Sequence, residues 1–540
     1  MCRTPAHPSS APEGTAAFAD LSVPEKELSP ADLSRRRFLL NSGLLGIGAL
    51  GVTALGGLAA RPAAATGAGG SRALHWMAGD HHVHTQYSYD GMYTIEQQAA
   101  GALRHGLDWL VITDHGHAAH EKFAVEATYA DIVVSRAKHP ELLLWQGLEW
   151  NVPGGEHATV FFDGARDEIQ LLRAFERLFD SRINGTGASS PENEAKALEA
   201  LAWLDTALRT GAASSALFLI NHVMRRGRYA PRDLRAYRDK APDIAVGMEG
   251  APGAQNEPRA RGDFNNTADA SSWPGWRPEH YPTYGGFDSM TGILGGMWDS
   301  LLAEGKGWWI TANSDGHFYN GDTTVEPSRP ADWYDQHGRY PDPVDGGVPQ
   351  RHADFWPGQF SRTVVGATSR SYGAVMEAIK AGRSWVSMGG LIDGLHVDAH
   401  APGNAPATLG GRLSVRRGDT VTLTVSVDLA GRPNANEEIP RLARLDLIRG
   451  AITGPAADPD VFTAPDVQVV ESFTPRGRGR VAEFHYRFRD VREPFYFRLR
   501  GTDGRRSAPG GMEPAADTGR NESPWSDLWC YTNPVFVELA

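Results

Sequence analysis

Cysteine is almost absent from this chain of 540 residues, in which only Cys2 and Cys530 occur. Two cysteines so far apart exclude a disulfide framework and a zinc site built from thiolates. Any bound metal ion must therefore be held by other side chains. The chain contains 19 histidines, and their positions are the most informative feature of its composition.

The sequence also lacks an excess of positive charge. Lys and Arg number 53 against 65 Asp and Glu, which gives a net charge of −12. This balance argues against a protein that holds nucleic acid by bulk charge, because such proteins need a basic surface. The hydrophobic fraction of 41% and the 15 tryptophans exclude a disordered chain and are sufficient for buried cores.

The first seventy residues predict an export signal rather than a folded domain. Arg35 and Arg36 form a twin-arginine pattern ahead of an apolar run over residues 38–60, and small residues follow at 61–65. We therefore expect residues 1–70 to be a disordered n-region and a signal peptide for the twin-arginine export machinery, which leaves a periplasmic, extracellular or membrane-anchored protein. An ordinary membrane anchor is the alternative, because the run is just long enough to span a bilayer.

Residues 74–390 alternate between short apolar runs and stretches that suit helices. Continuously apolar strands of this kind fit a parallel sheet that is buried on both faces. The pattern predicts an α/β fold, with a closed barrel as the architecture. The alternative is an open doubly wound sheet, but no Gly-rich phosphate loop follows the first strand. The apolar runs are residues 109–113, 142–145, 216–220, 244–248 and 308–312.

Two further regions differ from this alternation. Residues 250–286 and 318–360 are dense in Pro, Gly, Asn and Trp, which predicts lid insertions in the barrel domain. From residue 391 to residue 540 the apolar residues recur with a period of two, as in residues 420–427. This texture predicts a small antiparallel, sandwich-like β domain at the C-terminus.

Histidines and carboxylates follow the ends of at least five predicted strands. His82 and His84 are two residues apart, so on a strand both imidazoles point to the same side. Because a barrel keeps its active site at the carboxyl ends of its strands, we expect the whole set to converge there. The set comprises His82, His84, Asp114, His115, Glu149, His222, Asp315 and His317.

The chemistry of this set indicates metal binding. Imidazoles and carboxylates without thiolates suit Zn, Mn or Fe better than Mg or Ca. The set is larger than one tetrahedral ion needs, which predicts two or three divalent metal ions. Each motif alone has a plainer explanation, such as a surface strand for His-x-His, a helix cap for Asp114 or a turn at 315–317. Their shared position at strand ends favours the metal site.

These motifs resemble those of the PHP (polymerase and histidinol phosphatase) family. The resemblance implies a distorted (β/α)7 barrel, similar to a TIM barrel, with a di- or trinuclear metal site at its strand ends. Amidohydrolases are the rival barrel, but they normally add a lysine ligand and end on a lone Asp. The segments that resemble PHP motifs are 79–85 with 88–91, 112–115, 147–149, 155–157, 221–222 and 314–317.

Carried over position by position, the resemblance implies nine metal ligands. Tyr89 lengthens the usual Ser-Asp-Gly ahead of Asp90, and Glu156 separates His157 from the preceding glycine pair. Residues 378–387 and 531–535 further resemble the carbaryl-hydrolase-like (CehA/McbA) branch of metallohydrolases. The implied ligands are His82, His84, Asp90, His115, Glu149, His157, His222, Asp315 and His317.

The implied activity is hydrolysis of a small-molecule ester by a hydroxide that bridges two ions. The family favours a phosphoester, and the branch makes a carbamate or carboxyl ester the rival. A surface-binding module without catalysis is the alternative from another class.

Other polar residues near the motifs have weaker assignments. Asp114 could orient an imidazole or take a proton, with a helix cap as the alternative. Arg225, Arg226 and Arg228 could clamp an anionic substrate, with a solvated basic loop as the alternative. His117 and His120 are expected to be solvent or lid residues.

Overall fold

The computed structural model describes residues 73–165, 167–256, 283–351, 354–476, 479–505, 514–517 and 523–540. They belong to one structural unit, Ala68–Ala540, and the other unit, Met1–Gly67, lies outside the described residues. The predicted signal peptide therefore lies outside them, as does most of the predicted insertion at 250–286. Within the described ranges, no helix has both the length and the apolar character needed to cross a bilayer.

The strands of the first half are β1 (His75–Asp80), β2 (Trp109–Ile112), β3 (Leu143–Asn151), β4 (His157–Asp163), β5 (Ser215–Ile220), β6 (Ala245–Ala251), β7 (Thr283–Tyr284), β8 (Trp309–Ala312), β9 (Thr324–Val325), β10 (Val344–Asp345) and β11 (Ser361–Ala367). The later strands are β12 (Ser384–Met388), β13 (Ile392–His400), β14 (Arg412–Val415), β15 (Val421–Leu429), β16 (Arg444–Ala451), β17 (Val467–Phe473), β18 (Val481–Phe488), β19 (Phe495–Thr502), β20 (Ala516–Asp517), β21 (Trp529–Thr532) and β22 (Val535–Leu539).

The helices are α1 (Ile95–Arg104), α2 (Val125–Lys138), α3 (Glu168–Phe179), α4 (Ser181–Asn184), α5 (Pro191–Arg209), α6 (Pro231–Lys240), α7 (Ser289–Gly292), α8 (Met297–Leu302), α9 (Trp333–His337) and α10 (Tyr372–Lys380). Two of these helices show how side chains next to the first turn cap the helix start. In α1 the Thr94 side chain accepts a hydrogen bond from the Gln97 backbone, and the Gln97 side chain accepts one in return. Helix α5 has Ser190 as its N-cap and a proline in its first turn.

One mixed sheet runs through the structure, in the order β14-β22-β19-β21-β12-β11-β1-β2-β3-β4-β5-β6-β8. The α/β class and the helices between β1 and β8 agree with the sequence. The expected all-parallel sheet is wrong, because β4 is antiparallel to both β3 and β5. The reason is the connection: only residues 152–156 separate β3 from β4, which is too short for a parallel crossover.

The ends of β8 and β1 lie side by side. Strand β8 contacts β11 through side chains: Thr363 Oγ1 accepts from Ala312 N and donates to Ala312 O, both at 2.9 Å. Beyond the strands, Asp315 N donates to His82 O and His84 N donates to Gly316 O, each at 3.0 Å. These bonds place residues 82–84 beside residues 315–317.

The segment after residue 390 contributes antiparallel strands, as its alternating pattern predicts. Strands β13, β15 and β18 form a separate three-stranded sheet, while β19, β21 and β22 extend the main sheet beyond β12. A buried ion pair joins the two parts: the Arg498 guanidinium on β19 donates to both carboxylate oxygens of Asp299 on α8, at 3.0 and 2.8 Å. The division at residue 390 stays a prediction.

The predicted insertion at 318–360 packs against the loop that follows β1. The Tyr334 hydroxyl donates to Tyr87 O at 2.6 Å, and the Tyr340 hydroxyl donates to Tyr89 O at 2.7 Å. The backbone N–H of Tyr340 also donates to Gln86 O at 2.9 Å. The insertion therefore fixes the backbone around Asp90.

Candidate metal centre

Glu149 lies at the middle of a buried cluster of imidazoles. Its side chain on β3 is 1% exposed. A carboxylate offers about four lone-pair positions. Five imidazoles surround this one carboxylate, which is more than its lone pairs can bind. Such crowding is expected of ligands that converge on shared cations. The nitrogens that face its oxygens are His82 Nε2 at 3.0 Å, His84 Nε2 at 3.3 Å, His115 Nδ1 at 3.1 Å, His157 Nδ1 at 3.2 Å and His222 Nε2 at 3.1 Å.

Two further carboxylates complete the cluster. Asp315 Oδ1 lies 3.0 Å from His82 Nε2 and 3.3 Å from His84 Nε2. Asp90 Oδ2 lies 3.2 Å from His115 Nε2. The ring of His317 stacks on that of His84 with centroids 3.9 Å apart. The extra Tyr89 therefore does not move Asp90 away from the other predicted ligands.

The structure brings all nine predicted ligands into overlapping groups. Within each group the candidate ligand atoms lie within 4.8 Å of one another. Metal–ligand bonds of about 2.0–2.2 Å place neighbouring ligand atoms roughly 3 Å apart, which agrees with the separations around Glu149. The cluster therefore suits divalent metal ions. The groups are His84, Asp90, His115 and His317; His82, His84, Glu149 and Asp315; His115, Glu149 and His157; and Glu156, His157 and His222.

The strand ends position these side chains, as expected. His115 and Glu149 form an isolated parallel bridge beyond the ladder of β2 and β3, and His222 lies two residues after the end of β5. His222 and Asp315 adopt φ angles of 26° and 51°, in the left-handed region that non-glycine residues avoid. Such conformations cost about 1–3 kcal/mol each and cluster at functional sites, where the surroundings hold them in place.

Glu249 is a buried partner that the sequence analysis missed. Its Oε1 lies 2.7 Å from His82 Nδ1, and its Oε2 accepts a hydrogen bond from the His222 backbone N–H at 2.6 Å. A carboxylate behind a metal-binding imidazole fixes its tautomer and turns the other nitrogen toward the ion. The available signal was its position, because Glu249 directly follows the predicted strand 244–248.

Electrostatic forces in the cluster oppose the effect of burial on the pKa values, and at His82 and Glu149 they exceed it. Burial lowers the pKa of His82, but Asp315 and Glu149 beside it hold that pKa well above its usual value. Burial raises the pKa of Glu149, but His82 and His115 hold it well below its usual value. For His115 burial prevails and lowers the pKa to about 4. Protons on imidazoles thus balance the carboxylates, and divalent cations can take the place of those protons.

Asp114 faces the loop after β1 rather than a predicted ligand. Its Oδ1 accepts a hydrogen bond from Thr85 N at 2.6 Å, and its Oδ2 accepts one from Thr85 Oγ1 at 2.8 Å. Burial raises the pKa of this carboxyl group. Asp114 therefore anchors the backbone next to His84, and its catalytic assignment stays a prediction.

Arg225 and Arg228 lie in one pocket with Arg182 and Arg226, beside His157. Arg225 Nη1 is 3.3 Å from Glu156 Oε1. Arg228 donates a hydrogen bond to Gly187 O through Nη2. The structure thus brings all three arginines of the predicted clamp next to the candidate metal centre. Arg182 was missed, because it lies on α4, far from them in sequence.

His120 is not exposed to solvent, which contradicts one of the two roles expected for it. This side chain is 1% exposed, and its Nδ1 lies 2.9 Å from both carboxylate oxygens of Glu176 on α3. A π-helical turn, His120–Ala124, precedes α2 and directs the residue inward. Glu176 also accepts a hydrogen bond from His117 N at 3.0 Å. These contacts hold the loop that carries His115.

Comparison with known families assigns part of this region. Residues 80–193 match the model of the PHP domain. The matched segment contains the predicted ligands from His82 to His157, whereas His222, Asp315 and His317 lie beyond it. A comparison with curated proteins finds no match.

Two solved structures are similar to this chain at low sequence identity. One is a two-domain protein from Bacteroides vulgatus that contains a predicted PHP-like metal-dependent phosphoesterase. It is 14% identical, with 79% of this chain and 90% of that chain covered and a TM-score of 0.32. The other is a candidate metal-dependent phosphoesterase from Bifidobacterium adolescentis, 17% identical, with 32% of this chain and 76% of that chain covered and a TM-score of 0.18. Because both TM-scores are low, the functional conclusion rests on the site itself.

Proposed function

We propose that this protein is a metal-dependent hydrolase of small-molecule esters, with phosphoesters as its substrates. The observation that carries the proposal is the placement of five imidazole nitrogens 3.0–3.3 Å from the carboxylate of Glu149. The PHP-domain match over residues 80–193 supports it.

The cofactors we propose are two or three divalent ions of Zn, Mn or Fe, held by the nine predicted ligands. The candidate groups share His84, His115, Glu149 and His157, which supports neighbouring ions rather than one isolated ion. Bound there, the ions would polarise the ester and lower the pKa of a water molecule by several units.

Two carboxylates that are not proposed as ligands would hold the metal ligands in position. Glu249 holds the Nδ1 side of His82, so that its Nε2 faces Glu149 and Asp315. Asp114 would act by positioning the loop after His84, since both of its carboxylate oxygens accept hydrogen bonds from Thr85.

The arginine pocket favours an anionic ester over a neutral one. Arg225 and Arg228 lie beside His157, one of the proposed ligands. Guanidinium groups match phosphate oxygens in a fork geometry that a carbamate does not offer. The first rival proposal is hydrolysis of a carbamate or carboxyl ester, and the second is a surface-binding module without catalysis.

Two structural proposals accompany the activity. We infer that the seven strands β1–β6 and β8 close into a distorted TIM-like barrel, supported by the bonds between residues 82–84 and 315–316. Membership of the carbaryl-hydrolase-like branch is supported only by the sequence of residues 378–387 and 531–535.

Export through the twin-arginine machinery is proposed from Arg35 and Arg36. The double variant Arg35→Lys/Arg36→Lys should leave the precursor in the cytoplasm, because the export machinery recognises the arginine pair. Normal secretion of that variant would contradict the proposal.

The activity is tested with purified protein loaded with Mn or Zn. The assays use p-nitrophenyl phosphate, bis-p-nitrophenyl phosphate and a naphthyl carbamate. We expect turnover of a phosphoester that falls by at least about 100-fold in Glu149→Gln, since even partners behind the ligands contribute 10–100-fold. Arg209→Gln, on the exposed side of α5, is the control. Turnover of the carbamate alone would refute the substrate class, and no turnover of any ester would refute the hydrolase.

A further inference from the structure

A pocket of about 330 Å³ adjoins the candidate metal centre. The proposed ligand His157 and the aromatic ring of Tyr89 form part of its wall, so the pocket begins where the reacting ester would lie. Four arginines also line the pocket: Arg182, Arg225, Arg226 and Arg228.

Positive charge is concentrated in this pocket although the whole chain carries a net charge of −12. Among the described residues of its lining, the only carboxylate is Glu156, which pairs with Arg225 at 3.3 Å. Arg182 forms no ion pair within 4.0 Å with any residue that the structure describes. An anion entering the pocket would therefore meet a guanidinium group that no described carboxylate neutralises.

Arg182 is linked to the metal centre through one aromatic ring. Its guanidinium carbon lies 4.0 Å from the ring centroid of Tyr89. The same ring stacks on the imidazole of His115, with centroids 4.8 Å apart and an interplanar angle of 16°. A substrate whose ester contacts the ions near His115 could thus reach Arg182 with a second group a few bonds away.

Arg226 is held in an unfavourable backbone conformation. Its φ and ψ angles are 58° and 7°, in the left-handed region. An L-residue is strained in this conformation, which glycine adopts freely. An arginine in such a position beside a candidate active site indicates a use for its side chain.

We propose that this pocket binds a second anionic group of the substrate, a phosphate or carboxylate separate from the scissile ester. The inference rests on the proposed function and adds the class of substrate. Guanidinium groups bind both anions in bidentate geometry. The volume is at the lower end of small-molecule pockets, which suits an anion with few carbon atoms attached. Arg182 and Arg226 are the residues that determine this specificity.

The test compares matched substrates on the metal-loaded full chain. Glycerol 3-phosphate is paired with 3-phosphoglycerate, which adds a carboxylate. Fructose 6-phosphate is paired with fructose 1,6-bisphosphate, which adds a phosphate. We expect the second anion to lower KM by about tenfold or more, as charged hydrogen bonds do. The substrate pair with the larger decrease in KM shows whether the pocket binds a carboxylate or a phosphate.

Variants separate this inference from the proposed activity. Arg182→Gln and Arg226→Gly should each reduce the KM preference for the second anion by about tenfold, whereas Arg209→Gln should preserve it. Arg226→Gly should also raise or maintain the melting temperature, because glycine relieves the backbone strain. The same preference is measured as Kd by calorimetry, which requires no turnover.

The outcomes are distinct. Equal KM and Kd values within each substrate pair would overturn the inference and leave the hydrolase intact. A Kd preference that Arg182→Gln and Arg226→Gly abolish would support the pocket even if no ester were turned over, a result that would refute only the hydrolase.

Discussion

Two parts of this molecule combine histidines and carboxylates, but only in one of them do these side chains converge on a common centre. At the strand ends, His82 and His84 meet Glu149 within 3.3 Å. The outer sheet, formed by β13, β15 and β18, carries an even denser motif, His396-Val397-Asp398-Ala399-His400, on β13. Yet none of its residues belongs to a group of three ligand atoms within 4.8 Å in the described part of the chain.

The difference lies in the backbone that carries the side chains. On a flat sheet, alternate residues of one strand are about 6.5 Å apart and neighbouring strands about 4.8 Å apart, so the side chains stand side by side. His485 on β18 is 61% exposed, and its two ring nitrogens contact Glu483 at 3.1 Å and the Thr424 hydroxyl at 3.3 Å. At the strand ends, loops and left-handed residues such as Asp315 turn the side chains toward one centre. Spacing in sequence alone therefore does not define a metal site.

The largest effect is expected when the shared carboxylate is removed. Glu149→Gln should lose bound metal and at least about 100-fold in phosphoesterase activity, because five imidazoles face this one group. Glu483→Gln on the outer sheet is the matched control and should change neither. Elemental analysis and rate measurements check both, and equal losses in the two variants would abolish the contrast between the regions.

A smaller effect is expected behind the ligands. Glu249→Gln should weaken metal binding by about 10–100-fold, because the His82 imidazole loses its charged partner at Nδ1. Competition with a chelator measures the affinity. Asp428→Asn, which removes the carboxylate near His396, is the counterpart on the outer sheet. An unchanged affinity in Glu249→Gln would show that His82 needs no orienting partner.

Acidification should weaken metal binding at His82. Burial lowers the pKa of this imidazole, but the neighbouring carboxylates raise it well above its usual value. Below that raised pKa the metal-free imidazole carries a proton, which the ion must displace. The apparent affinity should therefore fall as pH falls, by up to about tenfold per pH unit for each displaced proton. Calorimetric titrations between pH 6 and 8 measure the slope; a flat profile would contradict the competition.

The smallest effect is expected on the outer sheet itself. The double variant His396→Ala/His400→Ala should retain metal content and activity within about twofold, because neither histidine belongs to a candidate ligand group among the described residues. Loss of a metal ion in this variant would show that the flat sheet also forms a site.

The sequence predicted that the ligands after predicted strands converge, because a position at a strand end depends only on local patterns. Asp90 and His157 came instead from the resemblance to PHP motifs. The sequence did not reveal Glu249, since a single glutamate after a strand has no motif. Arg182 escaped for a different reason: it reaches the pocket from α4, and only tertiary packing brings it near Arg226. Strand β4 was not among the predicted apolar runs, so its antiparallel course could not be foreseen either.

The metal content of the purified chain tests the central claim most directly. Elemental analysis of the wild-type protein should find at least two divalent ions per chain, because the candidate groups around Glu149 overlap in shared ligands. A wild-type chain that holds fewer than two ions after incubation with Mn or Zn would contradict the account.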